Sequence, residues 1–266
     1  MNNSAFSDAA NIFENSQKAG VEQYQERFVL FLDILGFKKM VEDIDKQKEQ
    51  DIDKQKEQEK AFKRIIKAHT DVFSAFQSFS KIYSDFNKDL DIQLAYISDS
   101  IVISCLPCEN NQSWGALFII SAAFVYSRSL LKSKILVRGA IVKNRLFHKG
   151  NIVFGRALND AYALERDISI YPRIIVERSI ASIWNEEPHD WSKDILVNDD
   201  DDGWHRINLL MNKDYGIFKL DELSVKTWLK DELSILKKDT PSREKESAKI
   251  NWLISKLDKG SISKGT

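Results

Sequence analysis

Two aspartates are set against apolar β-strand sequence. Residues 28–37 read Phe-Val-Leu-Phe-Leu-Asp-Ile-Leu-Gly-Phe, and residues 94–104 read Leu-Ala-Tyr-Ile-Ser-Asp-Ser-Ile-Val-Ile-Ser. An isolated carboxylate beside a buried strand costs free energy unless a cation or hydrogen-bond donors meet it. Asp33 and Asp99 therefore predict a divalent-metal site assembled from two neighbouring strands. Two carboxylates can bind two cations about 3.5–4 Å apart, one activating an attacking oxygen and one stabilising a leaving phosphate.

The segment after Asp33 adds a possible phosphate site. Gly36 ends the strand and Phe37 opens a helix, and backbone N–H groups at such a junction can hold phosphate oxygens. Gly36 would allow a close approach of the backbone. Taken singly, each aspartate also fits an ordinary role, a helix cap at Asp33 and a turn at Asp99. Taken together, they favour the metal site.

The rest of the chain predicts the elements that position these residues. Strands mixed with helices, with a hairpin in the middle, predict an α+β fold with helices packed on a mostly antiparallel sheet. The predicted strands are 28–34, 92–97, 100–104, 135–142, 152–154, 173–176 and 216–220. One predicted helix begins at Phe37, and the other predicted helices cover 60–86, 114–132, 156–166, 179–184, 224–237 and 244–257.

Three regions are predicted along the chain: a polar, mobile arm at 1–26, a main domain at 27–222 and C-terminal helices at 223–266. The octapeptide Asp-Ile-Asp-Lys-Gln-Lys-Glu-Gln occurs at 43–50 and again at 51–58. One repeat pair is too few for a solenoid, which stacks several units. We expect 43–58 to be a solvated helical or loop insertion.

Composition excludes several classes of protein. Lys and Arg total 39 and Asp and Glu total 40, so no global basic field favours nucleic acid. The longest apolar run, 114–126, is shorter than a membrane span and predicts a buried helix. The N-terminal residues lack a signal-peptide apolar stretch. Two cysteines do not make a disulfide framework. We expect a cytoplasmic protein that contacts neither membrane nor nucleic acid.

Other reactive residues have simpler interpretations. Cys105-Leu-Pro-Cys108 has redox-motif spacing, but the sequence around it lacks the rest of a thioredoxin-like fold. Three histidines stand apart in loop-like sequence and are predicted to be solvated: His148, His189 and His205. The acidic run at 198–202 predicts a solvated loop.

Further along, Arg138-Gly139-Ala140-Ile141 precedes Val-Phe-Gly-Arg-Ala-Leu-Asn-Asp-Ala-Tyr-Ala-Leu-Glu at 153–165. With the two aspartate segments, this order of motifs resembles the class III nucleotidyl cyclases over roughly 27–177. The resemblance implies a ferredoxin-like cyclase fold, a homodimer with shared active sites, and two Mg²⁺ or Mn²⁺ ions per site. It also implies that Asn159 steadies the ribose and α-phosphate from the partner subunit. It assigns metal binding to Asp33, Ile34 and Asp99, and nucleotide binding to Ile34, Leu35, Gly36 and Phe37.

This sequence departs from the family at three positions. Family members that use purines read the base with polar side chains where this chain has Ala95 and Ile152. Neither side chain can hydrogen-bond a base edge, yet both would line the base pocket. The family's transition-state arginine corresponds to Ala163. Three nearby arginines are candidates for its role: Arg138, Arg156 and Arg166.

These features together resemble the pyrimidine cyclases of bacterial Pycsar anti-phage systems. That resemblance implies cyclisation of UTP or CTP to cUMP or cCMP, which then activates a separate effector protein. The residues do not distinguish UTP from CTP. Two alternatives stay open, a cyclase that makes cAMP or cGMP with an unfamiliar base pocket and a degenerate domain that only binds a nucleotide.

Overall fold

Strand β1 (Gln25–Ile34) is the central strand of the fold, as its unbroken apolar sequence predicts. The computed structural model describes residues 20, 23–45, 52–86, 88–108, 113–186, 194–198, 202–210, 221–238 and 243–262. The other strands are β2 (Gln93–Ile97), β3 (Ser100–Cys105), β4 (Val137–Lys149), β5 (Ile152–Phe154), β6 (Ile174–Val176), β7 (Leu196–Asn198) and β8 (His205–Ile207). The helices are α1 (Phe37–Asp45), α2 (Ile52–Phe86), α3 (Ser113–Lys132), α4 (Arg156–Asp167), α5 (Arg178–Glu186), α6 (Glu222–Lys238) and α7 (Glu244–Ile262).

The eight strands form one sheet in the order β2-β3-β1-β4-β6-β8-β7, with β5 paired to β4. The pair β4–β6 is parallel and the other pairs are antiparallel. The predicted α+β class with a mostly antiparallel sheet is therefore confirmed. In the register of β1, Asp33 lies opposite Ser100 of β3 and Arg138 of β4.

The two faces of the sheet are covered by different helices. On one face, α3 packs with α2 over alternate residues of β1, namely Phe28, Leu30 and Leu32. Helix α3 is long and apolar enough to cross a membrane, but 89% of its apolar window is buried inside the fold. This makes α3 the core helix that its sequence predicts. On the other face, α4 packs over the intervening residues Val29 and Phe31.

The C-terminal helices α6 and α7 form a smaller apolar cluster with the end of α3. Leu229 and Leu253 are its most buried members, and Leu131 of α3 joins it. Trp252 of α7 stacks on Tyr171 with ring centroids 5.2 Å apart and planes 6° apart. The helical pair is thus attached to the sheet domain by apolar and aromatic contacts.

The sequence prediction misses parts of the sheet. The sequence does not predict β7 and β8, because β8 has Ile207 as its one apolar residue and β7 ends in the acidic run at 198–202. Strand β4 continues to Lys149, seven residues past its predicted end at Val142. His148 consequently lies in a strand and is 5% exposed, so its predicted solvation is wrong. His205 also lies in a strand and is half-buried.

Several predictions fall outside the described residues. These are most of the predicted arm at 1–26 (residues 1–19, 21 and 22), the predicted strand at 216–220, His189 and residues 199–201 of the acidic run. In the repeat region, α1 ends at Asp45 and α2 begins at Ile52, inside the second octapeptide. Helix α2 is therefore longer at its N-terminus than the predicted helix at 60–86.

Candidate active site

Asp33 and Asp99 lie side by side at one end of β1. A tight turn joins β2 to β3, with Ser98 at φ 57°, and it holds Asp99. The backbone N–H of Ile34 donates to the carbonyl oxygen of Asp99 over 3.1 Å, which fixes the turn against the strand end. The Asp33 side chain is 18% exposed. Burial raises the pKa of Asp33, Arg138 opposes this shift, and the nearby charge of Asp99 adds to it.

The turn after Asp33 leads directly into α1. The N–H of Leu35 donates to the carbonyl oxygen of Leu136 over 2.9 Å, and the N–H of Met40 donates to Gly36 over 3.1 Å. Gly36 has a φ of +78°, a conformation that favours glycine. The side chain of Ile34 is buried in the core, so this residue can serve a ligand only through its backbone atoms, whereas Phe37 packs against the core and stays partly exposed.

Arg138 links Asp33 to a second, deeper carboxylate. Its Nε donates to Asp33 Oδ2 over 3.1 Å and also lies within ion-pair range of Glu165 Oε1. Glu165 is 1% exposed, and burial raises its pKa to about 7. Of the three candidate arginines, Arg138 is the one that the structure places beside the aspartates.

Glu165 was not predicted as a site residue, although a pattern in the sequence marks it. Ala157, Ala161 and Glu165 are the buried residues of α4, spaced four apart on one helical face. A glutamate on the buried stripe of a helix needs a charged or polar partner. Arg138 supplies that partner.

Asn159 and Arg156 lie on the solvent side of α4. Asn159 is exposed. Arg156 is 74% exposed and its Nε is 3.7 Å from Asp160. Arg166 is exposed as well and pairs with Asp167 over 2.7 Å. Within one protomer, these three side chains do not join the Asp33–Arg138–Glu165 cluster.

Ala95 and Ile152 lie in neighbouring segments of the structure. Ala95 is fully buried on β2, and Ile152 is partly buried at the start of β5. Gln93 lies two residues before Ala95, and Gly150 lies two residues before Ile152. The N–H of Gly150 donates to Gln93 Oε1 over 3.2 Å. Ala95 belongs to the core and presents no exposed surface here, Ile152 presents a partly exposed apolar side chain, and a hydrogen bond holds their segments together.

A buried polar cluster lies at the other end of β1. Arg27 donates to Ser104 Oγ over 2.9 Å and to Asp91 Oδ2 over 2.8 Å. Ser104 Oγ is 2.8 Å from His148 Nδ1, while His148 Nε2 has no hydrogen-bond partner in the described part of the chain. Burial, together with the charge of Arg27, lowers the pKa of His148 to about 4. The imidazole is therefore neutral at neutral pH.

The cysteine motif has no redox geometry. Cys105 and Cys108 are both buried as reduced thiols, and Cys105 donates to the carbonyl oxygen of Gly115 over 3.5 Å. Burial raises the pKa of the Cys105 thiol, which suppresses the reactive thiolate. These two residues belong to the core.

The oxygen atoms at the end of β1 fit a hard divalent cation. No group of three or more His, Cys, Asp or Glu side chains that could hold a metal occurs among the described residues. Mg²⁺ is commonly bound by one or two carboxylates together with substrate phosphates, so the pair Asp33 and Asp99 suffices. Like charges held close in a partly buried place also favour a cation.

No protein-family model matches the chain, and no curated protein sequence does. Among solved structures, the chain is similar to the monomeric guanylyl cyclase domain of the RhoGC fusion protein from the aquatic fungus Blastocladiella emersonii, with 14% identity, a TM-score of 0.45, and coverage of 70% of this chain and 95% of that one. The guanylate cyclase domain of RhGC from Catenaria anguillulae in complex with GTP is 14% identical, with a TM-score of 0.40 and coverage of 69% of this chain and 94% of that one. A bacterial light-regulated adenylyl cyclase is 12% identical, with a TM-score of 0.38 and coverage of 77% of this chain and 63% of that one. Because these TM-scores are below 0.5, the comparisons establish neither family membership nor activity.

Proposed function

We propose that the chain is a nucleotidyl cyclase that converts a pyrimidine nucleoside triphosphate, UTP or CTP, to its 3′,5′-cyclic monophosphate and pyrophosphate. The observation that carries the proposal is the meeting of Asp33 and Asp99 at the end of two adjacent strands. The reaction is an in-line attack of the ribose 3′-oxygen on the α-phosphorus, with pyrophosphate as the leaving group.

Two Mg²⁺ or Mn²⁺ ions would be held by the carboxylates of Asp33 and Asp99 and by the carbonyl oxygen of Ile34. Bound there, such ions lower the pKa of the attacking hydroxyl and neutralise charge on the phosphates. In this structure the Asp33 carboxylate accepts a hydrogen bond from Arg138. The buried carboxylate of Glu165 would keep Arg138 in place when the Asp33 carboxylate binds a metal cation instead of Arg138.

A homodimer with shared active sites accounts for the position of Asn159. This side chain faces solvent, and six residues of helix separate it from Glu165, about 9 Å along the axis. Its exposed place on α4 makes it accessible to a ribose that is held at the site of a second copy. Arg156, exposed on the same helix, accompanies it as a phosphate-binding candidate.

Pyrimidine preference follows from the apolar pocket positions. Ala95 and Ile152 offer no hydrogen-bond donor or acceptor to the edge of a purine. An apolar wall discriminates only weakly between bases, so selection of a pyrimidine depends on pocket size or on other polar groups, and we expect some leakage to other nucleotides. The resemblance to Pycsar cyclases extends the proposal to cytoplasmic anti-phage signalling, in which cUMP or cCMP switches on a separate effector.

The test is to incubate the purified protein with Mn²⁺ and each of ATP, GTP, CTP and UTP, and to identify the products by mass spectrometry. We expect cUMP or cCMP. Formation of cAMP or cGMP without a pyrimidine product would establish a purine cyclase. Nucleotide binding without any cyclic product would establish a degenerate domain.

A further inference from the structure

We infer that Lys249, on the C-terminal helix α7, is a phosphate-binding residue of the active site. The inference rests on the proposed function, because it names the group that meets the triphosphate in place of the arginine that is absent at Ala163. The sequence resemblance ends near residue 177, so it gives α7 no role. Lys249 lies close enough to the site to interact electrostatically with the carboxylates of Asp33 and Glu165.

The position of Lys249 follows from the packing of α7. The neighbouring residue Ile250 belongs to an apolar cluster against which Leu136 packs. The carbonyl oxygen of Leu136 accepts the N–H of Leu35, within the turn that follows Asp33. Trp252, three residues after Lys249 on α7, stacks on Tyr171 and fixes the rotation of the helix.

The surroundings of Lys249 leave its ammonium available for a ligand. The side chain is half-buried, and burial followed by the charge of Arg138 lowers its pKa. The carboxylates of Glu246, Asp33 and Glu165 oppose this shift. It forms no hydrogen bond or ion pair with any residue in the described ranges. An ammonium that loses solvation without gaining a hydrogen-bonded partner costs free energy, and an anionic ligand repays that cost.

Among the other candidate cations, Arg138 is already engaged, because it bridges Asp33 and Glu165. Arg156 and Arg166 are exposed on α4 and do not join this cluster within one protomer. Lys249 is also a compact point charge on a flexible stem, suited to phosphate oxygens whose position changes during a reaction. The C-terminal helices therefore contribute to the chemistry of the site as well as to packing.

The test measures binding of inorganic tripolyphosphate in the presence of Mn²⁺ by isothermal titration calorimetry. The variants are Lys249→Met, Lys249→Arg and, as the control, Lys230→Met, whose side chain is exposed on α6. Loss of one charged hydrogen bond predicts roughly 10- to 100-fold weaker binding for Lys249→Met. Lys249→Arg should stay within a few-fold of wild type, and Lys230→Met should match it. Where the wild type turns over nucleotide, Lys249→Met should raise KM or lower kcat without lowering Tm.

The outcomes separate this inference from the proposed function. Equal tripolyphosphate affinity for Lys249→Met and wild type overturns the inference, and so does the absence of tripolyphosphate binding by the wild type. A loss of affinity that follows a lowered Tm and is not rescued by Lys249→Arg shows a structural role instead. If affinity depends on Lys249 but no nucleotide is cyclised, the inference stands and the proposed function falls.

Discussion

The buried imidazole of His148 should make the stability of the fold depend on pH. Its pKa is about 4 in the folded protein and 6.5 ordinarily. Below pH 6.5 the unfolded chain binds a proton at this residue that the folded protein does not bind until about pH 4. The free energy of unfolding therefore falls as the pH falls through this window. At 1.36 kcal/mol per pKa unit, the contribution of His148 at pH 5 is lower by about 2 kcal/mol than at pH 8.

The assay is urea unfolding at pH 8, 7, 6 and 5, followed by tryptophan fluorescence, for wild type and His148→Gln. Glutamine can still hydrogen-bond Ser104 but cannot acquire a charge. Glu165 acts in the opposite direction, because its raised pKa lets the folded state take up a proton below about pH 7. The informative quantity is thus the difference between the two proteins, since Glu165 is present in both. Between pH 8 and pH 5 the wild type should lose about 2 kcal/mol more than the variant.

Equal losses in the two proteins would refute this reasoning. His205→Gln, which removes a half-buried imidazole from β8, serves as the control and should change the pH dependence less. An NMR titration of the wild type provides a second check, because the His148 ring should not titrate above pH 5.

Further predictions concern the site and the elements around it. Asp33→Asn or Asp99→Asn should lower turnover by at least about 100-fold while the Tm is kept, and near wild-type turnover would exclude the metal assignment. Gly139→Ala should lower the Tm by roughly 5 °C or more, because a Cβ there would lie 2.2 Å from the carbonyl oxygen of Phe31. An unchanged Tm would show that β1 and β4 can move apart at little cost in free energy. Deletion of residues 51–58 should leave turnover within a few-fold, because solvated segments tolerate length changes, and a soluble but inactive protein would show that the start of α2 positions the site.

The sequence predicts the elements of the active-site region well because their patterns are long or chemically distinctive. The apolar run of β1 and the Ser-Asp-Ser turn predict the strand, the hairpin and the proximity of Asp33 to Asp99. Helix α3 is recognisable from its unbroken apolar composition. Strand β8 has Ile207 as its one apolar residue and β7 runs into the acidic segment at 198–202, so pairing determines them: β8 pairs with β6, and β7 pairs with β8.

The residues that the sequence does not reveal depend on contacts between distant segments. Glu165 gains its role from Arg138, which lies on a different element, and Lys249 gains its role from the docking of α7. His148 was predicted in a loop because Lys143 to Arg145 interrupt the apolar run of β4. Its burial depends on Arg27 and Ser104, which no local pattern connects to it.

The central place of β1 determines how late in synthesis the site can form. Asp33 and Arg138 are 105 residues apart, and both neighbours of β1 come from later parts of the chain. At about 5–20 residues per second, the ribosome needs roughly 5–20 s to reach Arg138 after it has made Asp33. During that time the apolar edges of β1 have no strand partner, and such edges are prone to wrong pairing. We therefore expect co-expression of chaperones that cover exposed apolar strands to raise the yield of soluble protein.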